Sequence, residues 1–179
     1  MAARTDKAWR LEKVVSGGQT GVDRAALDVA LELSISCGGW CPKGRRAEDG
    51  AIPEKYLLHE SPTSNYAERT ALNVKDSDGT LILSRGPLRG GTALTKTFAE
   101  RYGRPCLVID LRIATVQEVT NWLMAKSIRV LNVAGPRESS QPGIARSAAA
   151  FLRVVFGNTS PTRKRGTAAK GPRPRVGLV

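Results

Sequence analysis

Short apolar runs alternate along this chain with longer stretches in which apolar residues recur every three to four positions. The runs at 13–16, 36–41, 79–84, 105–110 and 129–133 are rich in Val, Ile, Leu or Cys and are bounded by glycine, proline or charge, the signature of buried strands. The stretches at 22–33, 64–75, 92–102, 115–125 and 143–156 carry helical periodicity. In the first of these, Ala26, Leu27, Ala30, Leu31 and Leu33 form one face to lay on a sheet. Strand and helix in strict alternation predict an α/β fold, Rossmann-like and doubly wound, with a mostly parallel sheet flanked by helices. The segment 42–62 fits neither period and holds Pro42, Gly44, Gly50, Pro53 and Pro62, so it is expected to be a long structured loop of the kind that carries function.

Composition places these elements in one domain. At 179 residues, with 41% hydrophobic and 25% charged residues, the chain suits a single globular unit over 13–157, preceded by a weakly patterned lead-in at 1–12. The net charge of +12 suggests a nucleic-acid binder until its location is considered. Residues 158–179 hold Arg163, Lys164, Arg165, Lys170, Arg173 and Arg175 with no acid, which is half of the excess. That segment, poor in large apolar residues, is expected to be a disordered basic tail. With only three each of Trp, Tyr and Phe, the chain lacks an aromatic-interleaved basic surface, so nucleic acid is not the expected partner. No run of about 18 apolar residues and no apolar leader occur, so a cytoplasmic protein without a membrane partner is expected. Cys37, Cys41 and Cys106 form neither a disulfide framework nor a metal-ligand pattern, and no metal site is expected.

The candidate chemistry sits where strands end. The first strand runs into Ser16-Gly17-Gly18-Gln19-Thr20-Gly21, then Val22-Asp23 opens a helix. Strand, glycine turn and helix N-terminus together make an anion cradle, because free N–H groups and the helix dipole favour negative charge. No lysine follows Gly21, so this is not a P-loop for nucleoside triphosphates. It approximates the dinucleotide fingerprint with serine in place of the first glycine. The acid that would hold a ribose diol is missing, however, and Lys43-Gly44-Arg45-Arg46 stands there instead, either a second anion site or a solvated loop. Glu48 and Asp49 follow, as ligand contacts or as an ordinary Asp-Gly turn. Asp23 is expected either to cap its helix or to bind the ligand.

A second junction, from Ser84 through Arg89-Gly90-Gly91-Thr92, repeats the arrangement, with Thr92 the expected N-cap. A third, from Asn132 through Gly135, Arg137 and Glu138 to Gly143, precedes the last helix, and its polar candidates Arg137 and Glu138 supply either crevice groups or a surface ion pair. Arg69 and Asn73, four apart, share a helix face, with Tyr66 or Thr70 nearby, that is either a crevice edge or solvated. His59, the sole histidine, has no nucleophile or carboxylate at a telling spacing and is read as structural.

Four motifs in order, Gly-Gly-Gln-Thr-Gly-Val-Asp at 17–23, Ala-Glu-Asp-Gly-Ala-Ile-Pro at 47–53, Arg-Thr-Ala-Leu-Asn-Val at 69–74 and Gly-Gly-Thr at 90–92, resemble the putative molybdenum carrier family. That family includes the algal and cyanobacterial molybdenum cofactor carrier proteins. The resemblance runs from about Lys13 to Phe156. It implies a Rossmann-like domain, related to the lysine-decarboxylase-like phosphoribohydrolases and the DNA-processing protein DprA, that forms homo-oligomers. It also implies binding of molybdenum cofactor, a phosphorylated molybdopterin, for delivery to an apo-molybdoenzyme. The phosphate is then expected on Gly17 to Gly21 or on Gly90 to Thr92, with Asp23, Glu48 or Asp49 reading pterin N–H groups and Lys43, Arg45 or Arg46 a second anion. The phosphoribohydrolases place a catalytic glutamate after their glycine-threonine motif. Here Thr95 stands in that region, so hydrolysis of a nucleotide-derived ligand is the weaker expectation.

Overall fold

The computed structural model describes residues 9–159. The tail expected at 158–179 therefore lies almost wholly outside the described residues, apart from its first two positions, where helix α5 continues through Asn158 and ends on buried Thr159.

Five parallel strands form the central sheet in the order β2 (Ser36–Gly38), β1 (Lys13–Val15), β9 (Val130–Ala134), β7 (Gly79–Ser84) and β8 (Cys106–Asp110). The β7 run Gly-Thr-Leu-Ile-Leu-Ser is buried at every position, as the lack of polar alternation requires of a strand covered on both faces. Helices α1 (Val22–Glu32) and α4 (Val116–Ala125) pack against α5 (Ile144–Asn158), and α2 (Tyr66–Lys75) packs against α3 (Gly90–Arg101). The main core joins strand residues Val14, Leu81, Leu131 and Val133 to helix residues Val22, Ala26, Leu152 and Phe156. Each large apolar side chain fully buried there contributes about 1.5–3 kcal/mol.

Three local expectations change. Leu31, assigned by periodicity to the packing face of α1, is 43% exposed. The expected strand 36–41 divides at Gly39, whose φ of +127° and backbone approach to Ser16 turn the chain out of the sheet. Beyond that turn β3 (Trp40–Cys41) pairs instead with β6 (His59–Glu60). The loop 42–62 also contains a hairpin of β4 (Arg46–Ala47) and β5 (Gly50–Ala51), with Glu48-Asp49 at its tip. Cys41, Ile52, Tyr56, Leu58 and Leu27 form a second, smaller core that seats this insertion on α1.

Candidate functional site

Because all five strands are parallel, the loops after β1, β7 and β9 meet at one edge of the sheet, where open α/β folds bind ligands. A cavity of about 450 Å³ opens there. Its walls come from Gln19 and Asp23 after β1, Ser84, Arg85 and Arg89 to Thr92 after β7, Ala134 to Arg137 after β9, and Tyr66, Ala67, Arg69 and Thr70 of α2.

The first glycine loop touches this cavity only through Gln19, and its glycines are used for packing. A side chain at Gly17 would collide with the Arg69 guanidinium, one at Gly18 with Leu58, and one at Gly21 with the Pro136 carbonyl. The Ser16 hydroxyl donates to the Val133 carbonyl at 2.6 Å. The anion position of the loop is taken by an internal carboxylate, that of Asp23. It pairs with Arg69 at 3.1 Å and accepts backbone N–H groups of Gln19 and Gly135. Burial pushes the Asp23 carboxyl up, against the downward pull of Arg69 and those N–H groups. Asp23 therefore does not cap its helix, whose N-cap is Gly21.

The second glycine loop faces the cavity openly. Helix α3 starts at Gly90, so its first N–H groups lack intrahelical partners. Nothing lies within 4 Å of where a side chain on Gly90 or Gly91 would begin. The N-cap is Arg89 rather than Thr92, because the Arg89 carbonyl accepts the first bonds from Thr92 and Ala93. Thr92 is instead buried in the first turn, and its hydroxyl has no hydrogen-bond partner among the described residues. Ser84, at the strand end beneath, is buried and donates weakly to the Gly86 carbonyl at 3.4 Å.

The 42–62 insertion supports the site from outside. Arg45 was expected to read an anion, but its guanidinium donates to the carbonyls of Ile52, Pro53, Tyr56 and Leu58 and locks the insertion. Lys43 is exposed and not among the cavity residues. Glu48 reaches across from the hairpin tip to the Thr20 and Ser139 hydroxyls and lies 3.9 Å from Arg137. Its partial burial raises its pKa, but those hydroxyls outweigh it and hold the group below the ordinary range. Asp49 is paired with Arg24, which holds it low as well. Glu138 forms no ion pair with Arg137 and accepts the N–H groups of Gly143 and Ala145 at the start of α5. Neither Arg69 nor Asn73 is solvated. Asn73 exchanges hydrogen bonds with the Trp40 backbone, while Arg69 spans Gly17 and the cavity. His59 packs against the Trp40 ring, away from the cavity.

Of the residues singled out in the sequence, the cavity gathers Gln19, Asp23, Arg69, Ser84, Gly90, Gly91, Thr92, Gly135 and Arg137. Ser16, Gly17, Gly18, Thr20, Gly21, Lys43, Arg45, Glu48 and Asp49 lie outside its walls. Tyr66, Arg85, Arg89 and Gln141 also line the cavity; the sequence placed each in a segment expected to edge the crevice but gave none of them a ligand role. Arg89 was marked by its place directly before the glycine pair. Four arginines, Arg69, Arg85, Arg89 and Arg137, face one carboxylate, Asp23, which Arg69 already answers. That excess of positive charge makes the cavity electrostatically suited to an anion.

A model of the circularly permutated YpsA SLOG family matches residues 14–156. The crystal structure of a putative molybdenum carrier protein from Syntrophus aciditrophicus SB superposes with a TM-score of 0.79 at 50% sequence identity, over 84% of this chain and 98% of that one. No curated protein matches. Matched from the first core strand into the last helix, and half-identical to that relative across nearly all of its length, the chain belongs to the circularly permutated YpsA SLOG family.

Proposed function

We propose that this protein binds and carries a phosphorylated small molecule of the molybdenum cofactor type, with the phosphate at the start of α3 and the ring system toward β1. The observation that carries this reading is the coincidence, in one cavity of about 450 Å³, of an open helix N-terminus with unopposed arginines. The N–H groups of Gly90 and Gly91, the Thr92 hydroxyl and the exposed Arg89 would hold the phosphate. Arg85 adds charge from a fixed position, since its guanidinium is anchored on the Pro142 and Gly143 carbonyls and Ser147. Tyr66, Ala67 and Leu94 offer apolar surface for a flat ring. The name of the half-identical relative supports a carrier, and the cargo would be handed to an apo-molybdoenzyme.

Hydrolysis of a nucleotide-derived ligand would need an available carboxylate beside the scissile bond. Asp23, the carboxylate among the cavity residues, is engaged by Arg69 and two N–H groups, which favours binding over catalysis.

Isothermal titration with molybdenum cofactor, followed by transfer to an apo-molybdoenzyme, tests the proposal. Saturable binding that weakens in Arg89→Ala is expected. Well-folded protein that takes up no cofactor would remove the reading.

A further inference from the structure

The cavity wall holds two side-chain amides, and they differ in a way that bears on the ligand's ring. Gln141 is satisfied at both ends: its oxygen accepts the Arg85 N–H at 3.0 Å, and its nitrogen donates to the Arg85 carbonyl at 3.0 Å. Gln19 is satisfied at one end only. Its Oε1 accepts two backbone N–H groups, from Thr20 at 3.1 Å and from Glu48 at 2.9 Å. Two donors converging on one atom require that atom to be the oxygen, which fixes the amide's orientation. The Nε2 group has no partner among the described residues; the residue is 9% exposed, but Nε2 itself is not fully buried, so its two N–H donors open to the cavity. A donor pair held in a fixed direction at a cavity wall, with no protein acceptor, is free to be taken by a ligand acceptor in place of water.

Resting on the carrier reading above, the geometry points to Gln19 as the residue that selects the ligand's ring: it reads an oxo group on the edge of a phosphorylated heterocycle, as in a 4-oxo pterin or a 6-oxo purine. Gln19 enters the cavity from the β1 loop and the phosphate cradle from the β7 loop, so a ligand anchored at α3 directs its ring toward Gln19. The acids first expected to read the ring are engaged elsewhere, Asp23 by Arg69, Glu48 by Thr20 and Ser139, and Asp49 by Arg24. With the amide oxygen held by two backbone N–H groups, Nε2 donates to an oxo group and disfavours an amino group at the same place, because two donors facing each other leave both unpaired.

Inosine and adenosine 5′-monophosphate serve as probes, since they share the phosphate and sugar and differ in presenting 6-oxo or 6-amino. Titration calorimetry of the wild type should show the oxo ring bound about tenfold or more tightly. In Gln19→Glu a carboxylate oxygen still accepts the Thr20 and Glu48 N–H groups while the other oxygen faces the cavity, so the preference should fall to parity or reverse. The added charge weakens both nucleotides alike and cancels in the ratio. Gln19→Met, which should bind without discrimination, serves if the glutamate variant does not fold. A wild type that binds neither nucleotide, or prefers neither, overturns the inference, as does a ratio unchanged in both variants. Cofactor binding by the wild type, measured separately, decides the carrier reading whatever the nucleotides show.

Discussion

Replacing Gly91 by alanine separates the ligand's demands from those of the fold. Gly91 is the second residue of α3, its φ lies outside the left-handed region, and a Cβ there meets nothing within 4 Å. The fold should therefore accept the methyl and gain from it. Alanine has less freedom to lose on folding, which stabilises a compatible site by about 0.4–1 kcal/mol. For a chain of this size that corresponds to a melting temperature about 1–4 °C higher. A ligand phosphate seated on the helix start meets the same methyl. Holding the phosphate away from one N–H forfeits a charge-assisted hydrogen bond worth about 1.5–3 kcal/mol, or about 10- to 150-fold in affinity. Thermal denaturation and calorimetric titration with molybdenum cofactor, run on the same preparation, read both effects. Raised stability with unchanged affinity would refute the seating of the phosphate at α3. Lowered stability would refute the description of the helix start. Gly90 offers no such separation, because its φ of +50° strains any side chain.

The buried pair under the first loop predicts a large single-site effect. Arg69→Met should cost about 3 kcal/mol in urea denaturation, the lower end for breaking a buried ion pair because Arg69 retains 13% side-chain exposure, and adding Asp23→Asn should restore much of it. A loss below about 1 kcal/mol would show that the Gln19 and Gly135 N–H groups suffice to hold the carboxylate. Acid should weaken the fold through other groups. Glu48 is held low despite partial burial, Asp49 by Arg24, and Asp110 far below the usual range by Arg112 and the Gly86 N–H. Carboxylates depressed in the folded state stabilise it above their unfolded values near 4, and that contribution is lost as pH falls through the folded values. Melting temperatures from pH 7 to 3 should therefore fall, and less steeply in Glu48→Gln. Asp23, raised by burial, works in the opposite sense, so parallel slopes in wild type and Glu48→Gln would contradict the latch assigned to Glu48.

Much of the architecture was legible along the chain. Each of the five core strands and five helices lies within a few residues of its hydrophobic pattern, because a strand buried on both faces and a helix buried on one impose periods that single residues cannot hide. The insertion was legible only as an irregularity. Its strands are two residues long, too short for any period, and what orders them is Arg45 gathering four carbonyls distant in sequence.

Sequence alone also established that three glycine junctions follow parallel strands, and hence that they share one edge of the sheet. It had no means of choosing among them. Gly17 to Gly21 and Gly90 to Thr92 look alike as local chemistry, a glycine turn opening a helix. Tertiary structure separates them, bringing Asp23 and Arg69, 46 residues apart, over the first loop while leaving the second uncovered. The physical reason is that a free N–H attracts any anion, and whether that anion is a ligand or the protein's own carboxylate depends on contacts that no local pattern encodes.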